Sequence, residues 1–202
     1  MSENIPPRRT QADRTQKRKE QLIREATRLF GQYGYRGAKL ADIAKAAEVT
    51  EPGLLHHFPS KEHLLMGVLA ERDRADQERF GPTLQGEAGD ALASLQALVE
   101  HNETVPGLVR LFTVLATESI DPEHPGHDFF VQRYRGLRPQ MAEVLRQGQQ
   151  RGEIRDDLRA EDLAVMVFAL MDGLQIQWLL DPDEVEMAEV FHSLVRLLRK
   201  EN

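Results

Sequence analysis

The chain has 202 residues, no cysteine and a formal net charge of −7. That length can hold one large or two small domains with a real core, and the missing thiols exclude disulfides and cysteine chemistry, which suits a reducing cytoplasm. The N-terminus has no apolar run, and no stretch approaches the roughly 18 uninterrupted apolar residues of a membrane span. The reading is therefore a cytoplasmic protein with no signal peptide and no membrane partner.

The negative total hides an asymmetry. Residues 1–61 carry 12 Lys and Arg against 7 Asp and Glu, whereas residues 62–202 carry 14 against 26. Attraction to phosphate acts locally and is screened beyond about 10 Å at moderate salt, so a basic head on an acidic body is compatible with nucleic-acid binding.

Residues 1–12 contain Pro6-Pro7 and Arg8-Arg9 without apolar periodicity. They are expected to be a disordered basic arm, able to track phosphates or enter a minor groove, or else a tail without function. A first helix is predicted from Asp13 to Tyr33, with Leu22, Ile23, Ala26, Leu29 and Phe30 along one stripe. Gly31 and Gly34 mark its end, and Tyr35 is read as packing under the turn that follows.

The stretch from Lys39 to Lys61 organises the rest. Leu40, Ile43, Ala44 and Ala47 fall at helical spacing, and Val49-Thr50-Glu51-Pro52 interrupts them. Thr50 is an N-cap candidate and proline is tolerated in a first turn, so a second short helix is expected from Thr50 or Glu51 to about His57, with Leu54 and Phe58 on its apolar side. Two short helices joined by a tight turn make a helix-turn-helix, whose second helix can enter a DNA major groove.

From about Gln21 to Leu65 the chain resembles the DNA-binding domain of the TetR family of bacterial transcriptional regulators. The resemblance rests on Ala26-Thr27-Arg28-Leu29-Phe30, Gly34-Tyr35, Asp42-Ile43-Ala44, Val49-Thr50 and the run from Leu54 through Phe58-Pro59-Ser60-Lys61 to Leu65. Three departures bear on operator sequence and affinity rather than on fold. Leu55 stands where the family usually has a backbone-contacting tyrosine, Pro52 where a glycine often sits, and Ala38-Lys39 where a threonine often opens the preceding helix.

The candidate DNA contacts are Arg36, Lys39, Thr50, Glu51, Gly53, His56, His57 and Lys61. Lys39 can replace a hydroxyl contact by a charge contact to phosphate. Thr50 can reach a base edge or a phosphate, Glu51 can accept from cytosine N4, and Gly53 permits close backbone approach. His56 lies on the exposed side, His57 contacts phosphate or packs, and Lys61 opens the next helix behind Ser60 as its N-cap. Adjacent histidines on a helix diverge by about 100° and cannot readily share one metal ion.

Residues 13–60 are thus assigned to the helix-turn-helix domain and 61–202 to a helical ligand-binding and dimerisation domain, with 61–80 as the linking helix. Gly81-Pro82 and Gly86 to Gly89 break the chain. Helices are expected over Ala88 to His101, Val105 to Ile120, His127 to Arg151, Ala160 to Leu180 and Glu184 to Arg199. No strand alternation stands out, so the class is all-α.

The helix from Ala160 to Leu180 is apolar nearly all round, which predicts burial against both its own core and a second subunit. In the family the last two helices of each subunit form a four-helix dimer interface. Met166, Leu170, Leu174, Phe191, Leu194, Val195 and Leu198 are the corresponding candidates. Gly173, in mid-helix, is read as permitting close packing or leaving room for a ligand.

The resemblance also implies a small-molecule pocket in the body. His101, Phe112, Phe129, Tyr134, Met141, Phe168, Met171, Gln175 and Trp178 are its candidate lining, each with core packing as the alternative; the mixture suggests an apolar or aromatic effector. Glu123, His124, His127 and Asp128 have metal-ligating chemistry, but they fall in what reads as a surface loop, and no metal or cofactor is assigned. No catalytic motif is present, so an enzyme is not expected. The function implied is a homodimeric regulator, most simply a repressor, that binds a pseudo-palindromic double-stranded DNA operator and is released by a small effector. The alternative is a DNA-binding regulator without a pocket, controlled by a partner protein or constitutive.

Overall fold

The computed structural model describes residues 11–80 and 87–200. Of the arm expected over residues 1–12, residues 1–10 lie outside the described residues and Gln11 and Ala12 are already helical, so the first helix starts at least two residues before Asp13; the break at Gly81-Pro82 also lies outside the described residues. Nine α-helices follow one another within them: α1 (Gln11–Gly37), α2 (Leu40–Ala46), α3 (Glu51–His57), α4 (Lys61–Phe80), α5 (Ala88–Glu103), α6 (Pro106–Glu118), α7 (His127–Gln150), α8 (Ala160–Leu180) and α9 (Met187–Leu198). The β pairing among the described residues is one isolated bridge between Ile154 and Arg199, so the fold is all-α.

The end of α1 differs from the expectation. Its backbone breaks at Gly34, where φ is 69° and ψ is 173°, a region open essentially to glycine alone, and a last turn runs on to Gly37. Gly31 does not end the helix. A Cβ there would meet the Gly107 carbonyl oxygen at 3.1 Å and the Leu111 Cβ at 3.2 Å, so the missing side chain lets α6 lie against α1.

In the helix-turn-helix, Thr50 caps α3: its Oγ1 accepts from the Gly53 N–H at 3.2 Å, and Pro52 sits in the first turn. Ser60 caps α4, accepting from the His63 N–H at 3.3 Å. Such caps contribute about 1 kcal/mol each, and they space α2, α3 and α4 closely enough to share one core.

That core is not confined to the head. Leu22, Ala26 and Phe30 of α1, Ile43 and Ala44 of α2, Leu54 of α3 and Leu64, Leu65, Val68 and Leu69 of α4 pack in one cluster with Leu111, Phe112 and Leu115 of α6 and Phe130 of α7. A second cluster joins α5, α7, α8 and α9 around Leu92, Leu95, Met141, Leu145, Val167, Leu174 and Phe191. The last helix begins at Met187 rather than Glu184, because the Glu184 and Val185 N–H groups turn back to the Asp181 carbonyl.

Within this chain α8 is buried on one side. Leu163, Ala164, Val167, Phe168, Met171, Leu174 and Trp178 face inward, while Val165, Met166, Ile176 and Leu180 stay exposed. An 18-residue window of α8 has a mean hydropathy of 1.7, enough by length and composition to cross a membrane, although no uninterrupted apolar run in it approaches that length. Averaging tolerates Asp172, which an uninterrupted run does not. Asp172 is met by the Tyr134 hydroxyl, and Leu163, Ala164, Val167, Phe168, Met171, Leu174 and Trp178 join the body core, so one side of α8 packs as a core helix.

The one-sided burial also revises the dimer candidates. Leu174, Phe191, Val195 and Leu198 belong to this chain's own core and cannot face a partner. Met166 is exposed, Leu170 and Leu194 are half-buried, and Val165, Ile176 and Leu180 on α8 with Val190 and Leu197 on α9 complete the outward apolar set. Successive helical residues turn by about 100°, so a nearly all-apolar sequence does not reveal which face is taken by the core.

Candidate nucleic-acid interface

The head presents α3 outward. Leu54 and Phe58 anchor its inner side, leaving Thr50, Glu51 and His56 exposed and Gly53 half-exposed, with Lys39 exposed at the N-cap position of α2. Because Thr50 Oγ1 accepts from the Gly53 N–H rather than donating, its O–H remains available to donate to a phosphate or a base acceptor.

His57 sits lower on the same helix. Burial pushes its imidazole below the ordinary histidine range, and the charges of His56, Lys19 and Arg18 push in the same direction. Arg18 and Lys19 of α1 therefore belong to the basic surface beside the recognition helix, with Arg18 Nη1 also donating to the Ala47 carbonyl at 3.3 Å. The run from Arg14 to Lys19 carries this signal in the sequence, but which of its residues turn toward α3 does not follow from the run alone.

Arg36 and Lys61 lie elsewhere. Lys61 Nζ sits 4.7 Å from the centre of the Tyr35 ring and donates to the Arg36 carbonyl at 3.4 Å, while the Arg36 guanidinium pairs with Asp121 at 2.8 Å. Burial lowers the Lys61 pKa, against the charge of Glu118. Both basic residues are thus engaged where the head meets the body, beside the Tyr35 N–H that donates to Glu118 Oε2 at 2.8 Å.

The same junction accounts for the histidines of the α6–α7 corner. His124 is 4% exposed, not a surface-loop residue. Its Nδ1 takes the Gly126 N–H at 3.1 Å and lies 2.9 Å from Ser119 Oγ, which puts the ring proton on Nε2, 3.8 Å from Glu118. His127 Nδ1 meets the Ser119 carbonyl at 2.9 Å. These nitrogens shape a corner under Tyr35, and among the described residues no group of three or more His, Cys, Asp or Glu is placed to hold a metal.

The candidate pocket residues divide. Phe112 and Phe129 belong to the head-side core, where the guanidiniums of Arg72 and Arg133 stand 3.8 and 5.1 Å from the Phe112 ring centre. Met141, Phe168, Met171 and Trp178 are buried in the body core, with Tyr134 packed against them and Gln175 held by the Thr113 hydroxyl at 3.4 Å. His101 is at the end of α5, beside Thr104.

A polar group joins the two regions: the Tyr134 hydroxyl donates to Asp172 Oδ2 at 2.5 Å, and Arg133 of α7 pairs with Asp73 of α4. Burial raises the Asp172 pKa, opposed by the Tyr134 hydrogen bond and the charges of Arg133 and Arg72. A Cβ at Gly173 would meet nothing within 4 Å, so that glycine is not required for close packing.

An outward recognition helix, flanked by basic residues and mounted on an acidic helical body, defines a helix-turn-helix DNA-binding protein. Residues 22–68 match the profile of bacterial regulatory proteins of the tetR family, and residues 126–200 match the C-terminal profile of BetI-type transcriptional repressors. The chain belongs to the TetR family of transcriptional regulators, a family of regulators rather than enzymes.

Among its relatives, the HTH-type transcriptional regulator CymR of Pseudomonas putida is 28% identical over 206 residues, covering 96% of each chain. The HTH-type transcriptional regulator TtgR, also of Pseudomonas putida, is 28% identical over 190 residues, 89% of this chain and 88% of its own. A TetR transcriptional regulator from Chloroflexus aurantiacus shares the fold with a TM-score of 0.78 and 24% identity over 93% of this chain and 99% of the other. A regulator from Saccharomonospora viridis, solved with choline, has a TM-score of 0.77 and 24% identity over 93% of this chain and all of the other.

Proposed function

We propose that the protein is a homodimeric repressor that holds a pseudo-palindromic operator with two α3 helices and releases it when a small, largely apolar effector enters the body. The observation that carries this reading is the continuity of α4. Its first half packs in the core of the head, and its second half is tied to the body by Arg72 against Phe112 and by the Asp73–Arg133 pair.

A ligand wedged among Tyr134, Phe168, Met171 and Trp178 would displace α7 against α8 and carry Arg133, and with it α4, along. Release requires that the ligand bind the displaced arrangement better than the DNA-competent one. The exposed stripes of α8 and α9 supply the surface on which two copies meet, and a dimer sets the distance between the two recognition helices.

A second reading, a regulator without an effector, is favoured by the separation of the candidate lining residues, with Phe112 and Phe129 in the head-side core, Tyr134, Met141, Phe168, Met171 and Trp178 in or against the body core, and His101 in neither. The test is fluorescence anisotropy with DNA from upstream of the protein's own gene against a scrambled duplex, at two salt concentrations. The expected result is preference for the native duplex that falls in Glu51→Ala and His56→Ala, both exposed and away from the core. Equal binding of the two duplexes by the wild type counts against specific recognition. Specific binding that no apolar or aromatic compound relieves selects the second reading.

A further inference from the structure

Between α1 and the start of α6 lies a cavity of about 490 Å³, open to solvent. Arg24, Arg28 and Gln32 line it from α1, and Pro106, Gly107 and Arg110 from α6; no carboxylate is among its lining residues. Arg28 shares its charge with Glu25 at 3.1 Å, whereas Arg24 and Arg110 form no ion pair or hydrogen bond among the described residues. Three guanidiniums against one acid leave two positive charges converging on the same space.

The start of α6 adds to this field. Val105 offers no side-chain cap and Pro106 follows at the first helical position, so the positive end of the helix is not countered by a side chain. Guanidiniums recognise phosphoryl oxygens through paired N–H groups, and a cavity of this size falls within the roughly 300–1,000 Å³ range of small-molecule sites.

We propose that this cavity binds a small molecule through a phosphate or pyrophosphate group, at a site separate from the body core. Such a ligand bridges the head, through α1, and the body, through α6. It would therefore bias the same head-to-body geometry that governs DNA binding.

Duplex DNA is the competing source of phosphate, and the placement argues against it. Neither α2 nor α3 contributes to the lining, and three of its eight residues, Pro106, Gly107 and Arg110, come from the body. Arg18, which meets the end of α2, precedes Arg24 by six residues and Gln32 by fourteen, which is about 9 to 21 Å along a helix rising 1.5 Å per residue.

The test is isothermal titration calorimetry of the full chain with inorganic pyrophosphate, at ionic strength matched with chloride. The expected result is saturable binding that weakens by roughly tenfold or more in Arg24→Gln and in Arg110→Gln, and less in Arg110→Lys, which keeps the charge but not the paired donors. Both arginines are exposed, so an unchanged Tm verifies that the variants remain folded.

Absence of saturable pyrophosphate binding to the wild type overturns the proposal, as does equal binding by the double variant. Loss of duplex affinity in the variants without pyrophosphate binding to the wild type assigns the arginines to DNA instead. Because the titration contains neither DNA nor effector, its outcome is independent of the repressor reading.

Discussion

Gly34→Ala tests the junction between head and body. At φ 69° and ψ 173° the backbone occupies a region essentially closed to residues with a side chain, and holding alanine there costs about 1–3 kcal/mol. The new Cβ would also lie 2.6 Å from Glu118 Oε1, forcing away the carboxylate whose other oxygen accepts the Tyr35 N–H. Losing a hydrogen bond to a charged acceptor adds about 1.5–3 kcal/mol, so the expected total is about 2–5 kcal/mol once overlap between the two effects is allowed for. The assay is urea unfolding at one fixed protein concentration, since association into the proposed dimer would make apparent stability concentration-dependent. Glu118→Gln, which retains an oxygen for the Tyr35 N–H, is expected to lose less. A Gly34→Ala variant within about 0.5 kcal/mol of wild type would refute the reasoning, because a neutral outcome is incompatible with a glycine-only backbone and a blocked carboxylate.

Other outcomes follow from the same contacts. Burial lowers the His124 pKa from 6.5, against the attraction of Glu118 and Asp121 and with the repulsion of Arg36, under the Tyr35 ring. Its contribution to stability is therefore present above pH 6.5 and lost as pH falls through that value toward the lower folded pKa; His124→Asn, which keeps an acceptor for Gly126, should flatten this slope in thermal melts between pH 7.5 and 5.5, spanning the ordinary histidine pKa. Tyr134→Phe leaves Asp172 without its hydroxyl donor and should lower stability by about 1–3 kcal/mol in urea unfolding, with Asp172→Asn recovering part of the loss in the double variant. Ile176→Glu combined with Leu197→Glu places charge on the outward stripes without touching the core. It should shift the protein from dimer to monomer in sedimentation velocity with its helical content kept, and an unchanged dimer would locate the interface elsewhere.

The helix-turn-helix was legible because its signals are local. Leu40, Ile43 and Ala44 repeat at helical spacing, Thr50 caps and Ser60 caps again, and each feature acts over one turn of backbone. The candidate contacts Thr50, Glu51, Gly53 and His56 followed from that register and are exposed or half-exposed around the start and outer side of α3. Arg36 and Lys61 were not separable from them in sequence, because their engagement depends on Asp121, Tyr35 and Glu118, two of which are more than 80 residues from Arg36 or Tyr35 along the chain.

The body was less legible for the same physical reason. Sequence alone determined that residues 160–180 form a long apolar helix, that the class is all-α and that positive charge gathers at one end. Only the tertiary structure decided which side of α8 meets the core, that Phe191 and Leu198 are interior, and that Phe112 and Phe168 fall in different clusters. It also placed Arg24 and Arg110 across one cavity and His124 beneath Tyr35. Helical periodicity is set by backbone hydrogen bonds within four residues, whereas the choice of face is set by contacts between helices far apart in the chain, whose identity no local spacing encodes.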